Sequence, residues 1–372
     1  MSVTTTPDSP PRDEPLRIAG RVLPEGLERE LWIVDGTISP VRLPGARTLA
    51  EDCWVMPALV DAHLHPGVAE IGGPLDLPTL EADLRALAHS GIGAARVVGS
   101  PSPIPGNWHA RAGLPLLRSA GVAVAAPGRF IDGWGRRADG PELPSACAEE
   151  CTAHWGKIIA DWFDDEGGYG PSYSPQQIAS AVAAVHATGA RVAVHTQGAE
   201  AGASAAAAGA DSIEHGMHLP DSALHDLASN GGFLVPTGYV FTRLAESMSD
   251  PGLPERMRTW FADGVAGHPE VVASALAAGV TVLAGTDLPV GSLVDEVLWL
   301  HAAGMSAHEA VGAASWTARE VLDLPRLRPG DRADLLCLAT DPGNDPEVLR
   351  TPDLVVLDGR PIRRSDTPRE VF

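Results

Sequence analysis

A chain of 372 residues with 44% hydrophobic content is long enough for a large α/β barrel, alone or with a small companion domain. Its formal net charge of −21 argues against nucleic acid and anionic membranes as partners, because both select basic patches. No apolar run reaches transmembrane length, and four scattered cysteines, Cys53, Cys147, Cys151 and Cys337, do not make a disulfide framework, so a reducing cytoplasm is the expected location.

Residues 1–15, MSVTTTPDSPPRDEP, have no basic n-region or apolar h-region and are expected to be a disordered tail rather than a signal peptide. Residues 16–55 then show short strand-like runs such as LWIVDG, broken by Gly, Pro and Asp. Similar runs, ADLLCLA and DLVVLDG, recur within 328–372. The two flanks are expected to meet as one small β-sandwich domain.

Between them, 56–327 reads as a barrel. Its first strand, 55–62, is a short apolar run in VMPALVDAHLHPG. Strand side chains alternate faces with period two, so His63 and His65 share a face. That leaves two readings: surface histidines, or two nitrogen donors converging on one metal. Further strands are expected at 94–99, 122–126, 156–161, 191–195, 212–215, 233–237 and 280–285, with helices at 80–89, 175–187, 199–208, 222–230, 269–278 and 294–303. Eight strands in βα alternation indicate a (β/α)8 TIM barrel, with its chemistry at the carboxyl ends of the strands. Cys147 and Cys151, one helical turn apart, read as helix packing.

Those strand ends carry a pattern. Strand one supplies His63 and His65, strand four Lys157 in WGKIIADW, strand five His195 in VAVHTQG, strand six His215 in SIEHG, and strand eight Asp287 in LAGTD. His89, His186, His225, His301 and His308 fall in helical stretches and read as surface or structural. Loops after the strands offer Trp134, Arg136, Arg137, Trp162, Tyr169, Tyr173 and Tyr239 as candidate substrate contacts, with His218 a candidate at the mouth. The segment 240–268, with Arg243, Arg256 and Arg258, is long for a βα connection and reads as a lid.

The motifs MPALVDAHLH, WGKIIADW, VAVHTQG, SIEHG, AGVTVLAGTD and RPGDRADLLCLATDP, in that order, resemble the amidohydrolase superfamily, in particular its imidazolonepropionase-like and Xaa-Pro-dipeptidase-like branch. The resemblance implies two divalent metal ions, zinc being the simplest choice. His63, His65 and Asp287 would hold the more buried ion, His195 and His215 the more exposed one, and Lys157 would bridge them as a carbamate. The alternative for Lys157 is a charged lysine paired with Asp161 or Asp164; for Asp287 taken alone, a helix cap or turn residue. A hydroxide held between the metals would attack a substrate carbonyl while Asp287 moves the proton to the leaving nitrogen.

Three departures from the family pattern stand out: Ala58 where Gly is usual, Val97 where Asp is common, and no Thr-Gly-Gly-His-type segment after strand three. The last shifts the expected substrate from Xaa-Pro dipeptides toward small cyclic amides or N-acyl compounds, carrying a compact ring or apolar side chain and one carboxylate clamped by an arginine. The competing readings are an Xaa-Pro-type dipeptidase, a mononuclear deaminase of the same superfamily, for which Lys157 would be superfluous, and a non-catalytic binding protein. The partners expected are a small-molecule substrate and further copies of the same chain.

Overall fold

Parallel strands organise the middle of the chain. A computed structural model describes residues 14–70, 72–151 and 154–362, so the expected tail lies almost wholly outside the described residues, as do residues 363–372. One parallel sheet contains Leu59–Leu64, Ile92–Val97 and Leu116–Ser119. A second runs Thr281–Val282, Phe233–Val235, Ser212–His215, Arg191–Thr196, Trp155–Ile159, Val124–Ala125, Arg136–Arg137, each strand parallel to its neighbour. A backbone bond from Ala62 N to Ala284 O (2.9 Å) joins the first sheet to the segment that follows Thr281–Val282 of the second. The result is a TIM-barrel-like α/β fold.

The apolar composition of these strands follows from burial on both faces, the general condition of parallel sheets. Outward residues such as Val192, Val194, Ile158 and Ile213 join Ile178, Val182 and Val185 of the helix Pro175–Ala187 in the main core. Each such side chain, fully buried, contributes roughly 1.5–3 kcal/mol. That helix opens on Ser174 with a complete capping box to Gln177, which satisfies two otherwise orphaned donors. Inward residues Val60, Ala62, Ala193, Trp155, Phe233 and Leu283 fill the interior below the strand ends.

Two expectations need correction. The run 55–62 is not one strand: Arg47–Pro57 belongs to the flanking sheet and Leu59–Leu64 to the barrel-like body, divided at Ala58, whose N–H donates to Asp334 O. The segment 240–268 is not a structureless lid. It consists of the helix Gly238–Met248 and the first part of the helix Glu255–Ala277, which continues through Pro269 instead of starting there.

The chain ends meet in one seven-stranded sheet, ordered Arg360–Ile362, Leu354–Leu357, Leu335–Leu338, Arg47–Pro57, Leu16–Val22, Leu27–Val34, Thr37–Ile38. An isolated bridge pairs Thr37 with Arg332, and Ala333 N donates to Gly36 O. The edge strand is thereby brought back toward the segment that enters Leu335–Leu338. Residues of both chain ends, including Ile18, Ile33, Val55, Leu335 and Val356, share one apolar cluster.

Candidate metal centre

His63 and His65 lie at the carboxyl end of Leu59–Leu64, where the pairing with Ile92–Val97 shifts register between Asp61 and Leu64. Their ligand atoms and that of Asp287 all lie within 4.8 Å of one another. Gly285 permits the approach: a Cβ there would fall 2.7 Å from His63 Cβ and 2.7 Å from Val235 Cγ1. Asp287 N donates to His63 O at 2.7 Å, which fixes the two strand ends in register.

The tautomers are set by what lies behind each ring. His65 Nδ1 is 2.8 Å from Gly99 O, an acceptor only, so Nδ1 carries the proton. His63 Nδ1 is 2.7 Å from Glu214 Oε2, which calls for the same tautomer. In both rings the remaining Nε2 faces the same atom, Asp287 Oδ1, at 3.1 Å. In neutral rings, lone pairs then confront a carboxylate oxygen, and only a cation can sit favourably among them. Zinc ligands at about 2.0–2.1 Å in tetrahedral array stand at about this separation from one another, so the donor set fits a metal.

Lys157, His195 and His215 complete the floor. Lys157 Nζ is buried and has no hydrogen-bond partner among the described residues. Burial pushes its amine down to about 8. Neither acid proposed as its ion-pair partner serves: Asp161 is taken by Tyr169 Oη, Thr196 Oγ1 and the N–H groups of Gln197 and Gly198, and Asp164 by Arg256. His215 Nδ1 lies 2.8 Å from Thr237 Oγ1, and the His195 and His215 rings are 4.6 Å apart. Burial holds both imidazoles well below their usual range, so both are neutral donors. Asp287 (φ 55°), His215 (φ 70°) and Thr237 (φ 52°) adopt left-handed backbone, a strained conformation for His and Thr that clusters at functional sites.

Above these groups opens a cavity of about 240 Å³. Phe130, Trp134 and Trp162 form one wall, and Val240, Phe241 and Leu244 the other. The Trp134 ring centre is 5.0 Å from that of His65, and that of Trp162 is 5.3 Å from that of His195.

A family model described as the amidohydrolase family matches residues 54–362. The chain belongs to that family. An uncharacterized protein of Mycobacterium tuberculosis is 39% identical over 360 residues, covering 93% of this chain and 95% of the relative. A crystal structure of an amidohydrolase superposes with TM-score 0.81 at 25% identity, over 95% of this chain and 100% of that one. That of a Xaa-Pro dipeptidase with methionine bound in its active site gives 0.80 at 22%, over 94% and 99%. Among the described residues of this amidohydrolase, no helix is long and apolar enough to cross a membrane.

Of the expected substrate contacts in this amidohydrolase, Trp134 and Trp162 line the cavity, and Arg136, Tyr239 and His218 do not. Arg136 is drawn outward by Glu149 (2.7 Å) and Glu150 (3.3 Å). Tyr239 is placed by its backbone, whose N–H donates to Glu296, while the next two residues face the cavity. His218 packs its ring against Trp260 at 4.6 Å. Tyr173 is buried, donating to Ala138 O. No arginine lines the cavity among the described residues, so the expected clamp on a carboxylate is absent there.

Several supporting residues of this amidohydrolase were not anticipated from its sequence. Glu214 is fully buried and accepts from Arg96 (2.8 and 3.0 Å) and from Ser212 while it holds His63. Burial alone would raise its carboxyl, but the Arg96 guanidinium, Lys157 and the hydrogen bond and charge of His63 together outweigh this and keep it well below the usual range. Arg96 also donates to Ala62 O and lies 4.7 Å from the Trp155 ring and 5.0 Å from the Phe233 ring, so a buried ion pair is hydrogen-bonded almost throughout. Asp61 accepts from His63 N and from Thr286. Asp61 stands two residues before His63 in VDAHLH, a signal available in the sequence. The Arg96–Glu214 pairing joins residues 118 positions apart and leaves no local trace.

Proposed function

We propose that this protein is a binuclear metal hydrolase that cleaves the C–N bond of a small amide, acting within a closed eight-stranded barrel to which a curled β-sandwich is attached. Family membership supports hydrolysis. The observation that carries the metal reading is the meeting of two imidazole lone pairs, with their tautomers fixed from behind, on one oxygen of Asp287. His63, His65 and Asp287 would hold one ion, and His195 and His215 the other.

Lys157 would bridge them as a carbamate. Its buried amine, lowered to about 8 and without a hydrogen-bond partner among the described residues, adds to the carbon of CO2 and releases one proton. The product is an anion suited to a divalent pair. The same feature favours this reading over a mononuclear deaminase, to which a buried Lys157 contributes nothing. When bound, such metals supply an acidified water and polarise a carbonyl. Asp287, at the mouth side of the histidine pair, accepts the proton of the attacking water and returns it to the nitrogen as the C–N bond breaks.

Elemental analysis of protein purified without chelator tests this. Two divalent ions per chain are expected, with zinc the first candidate. One per chain would favour the deaminase, and none would favour a binding protein.

A further inference from the structure

Resting on that hydrolytic reading, we propose that the cavity takes a neutral amide bearing an apolar, ring-sized group, and that it discriminates against substrates carrying a carboxylate, Xaa-Pro dipeptides among them. Among the described residues, Lys157 and Asp287 are the only lysine, arginine or carboxylate side chains lining the cavity, and both lie at the metal centre. Arginines of the surrounding loops and helices serve the protein itself, and Arg243, beside Leu244, is likewise engaged. Arg129 donates to Trp162 O, Arg137 to the carbonyls of Ile131, Trp134 and Gly135, Arg256 to Asp164 and to Glu166 O, and Arg258 to Leu253 O.

A carboxylate carried into this space would leave water without an ion-pair partner, an unfavourable exchange, and it would approach a chain of net charge −21. The two walls offer the opposite complement. Phe130 lies 20° from parallel to Trp134 with ring centres 6.3 Å apart, and it meets Trp162 edge-on at 5.1 Å. This presents a continuous aromatic surface beside His65 and His195. Facing it, the helix Gly238–Met248 supplies Val240, Phe241 and, at the mouth, Leu244. Leu244 is 42% exposed, one of four exposed large hydrophobics among the described residues. An exposed leucine continuous with a buried apolar wall extends the surface on which an apolar substrate can settle. Among the neutral polar side chains lining the cavity is Gln197, whose buried Oε1 has no partner among the described residues; it can meet an amide without demanding charge.

The experiment uses metal-loaded, full-length protein and two matched pairs: N-benzoylpyrrolidine against N-benzoylproline, and acetanilide against 4-acetamidobenzoate. Products are resolved by mass spectrometry. In each case water adds to the carbonyl carbon, the C–N bond breaks and the nitrogen gains the proton. The neutral member of each pair is expected to have kcat/KM about tenfold higher or more; equal or faster hydrolysis of the acids overturns the inference. Tryptophan fluorescence titration with the same four compounds separates this question from hydrolysis. Tighter binding of the neutral members without turnover would support the pocket assignment and count against the hydrolytic reading, whereas tighter binding of the acids, or binding of neither, overturns the assignment. In Leu244→Arg, which puts a guanidinium at the mouth, the neutral-to-acid ratio is expected to fall severalfold; an unmoved ratio would show that charge is not what the cavity discriminates.

Discussion

Burying an ammonium without a partner is costly, and Lys157 sits in that position beside four imidazoles. The cost is relieved if the amine is neutral and relieved further if it becomes an anionic ligand. Lys157→Ala is therefore expected to retain about one metal ion per chain and to lose turnover by two to three orders of magnitude, with partial rescue by a short carboxylic acid; full activity would remove the bridging role. Asp287→Asn keeps the shape of the side chain but not its basicity. A loss of about 10²- to 10⁴-fold in kcat with an unchanged circular dichroism spectrum is expected, and near-normal turnover would exclude Asp287 from proton transfer. At this scale the sequence was legible where chemistry is concentrated at strand ends. His63, His65, Lys157, His195, His215 and Asp287 all line one cavity. It was not legible where a residue acts through a partner on another strand: Glu214 reads as the neighbour of His215, and Arg96 reads as an ordinary charged strand residue until the fold seats it against Trp155 and Phe233.

Among the elements, the helix Gly238–Met248 shows how a wall of the cavity is fixed. Thr237, in left-handed backbone, turns the chain from strand to helix and meets His215. Directly after it, the N–H groups of Gly238 and Tyr239 donate to the two carboxyl oxygens of Glu296, at 3.0 and 2.8 Å. Burial pushes the Glu296 carboxyl up to about 8. Because the folded-state value lies above the ordinary 4.5, the folded chain holds this proton after the unfolded chain has released it. The associated stability is present in full below about pH 4.5 and lost as pH rises through about 8. Since a tenfold displacement of a proton equilibrium is worth ~1.4 kcal/mol, the wild type should lose on the order of 2 kcal/mol between about pH 6 and 8 relative to Glu296→Gln. Denaturant titrations of both proteins at the two pH values check this, and parallel pH dependences would contradict it. The helical nature of 240–268 was itself available in the spacing of Val240, Phe241 and Leu244 and of Phe261, Gly264, His268, Val272 and Ala275. Pro251, Pro254 and Pro269 masked it by suggesting breaks. Pro254 does precede a helix start, but Pro269 is carried inside a 23-residue helix.

Across the whole molecule, the alternation of apolar strands with Ala-rich helices was enough to predict a barrel-like body, because a parallel sheet must be covered on both faces and its covering shows as sequence period. The strand-like runs of both flanks were legible too, but the order and register of the seven-stranded sheet were not, since its strands come from opposite chain ends and pair through contacts that no local pattern encodes. The body holds its histidines in place by itself: Gly99 O, Glu214 and Thr237 fix three rings from behind. Removing metal should therefore leave the secondary structure standing while exposing the lone pairs of His63 and His65 to Asp287 without an intervening cation. The melting temperature should then depend on free metal concentration, since a ligand that binds only the folded state at a hundredfold its Kd adds ~2.7 kcal/mol per site. Scanning calorimetry of chelator-treated protein, repeated across a zinc titration, is expected to show a rise of several degrees with unchanged far-ultraviolet dichroism at 25 °C. His63→Ala should lose the tighter part of that response. A melting temperature indifferent to metal in the wild type would count against a metal between the confronting donors.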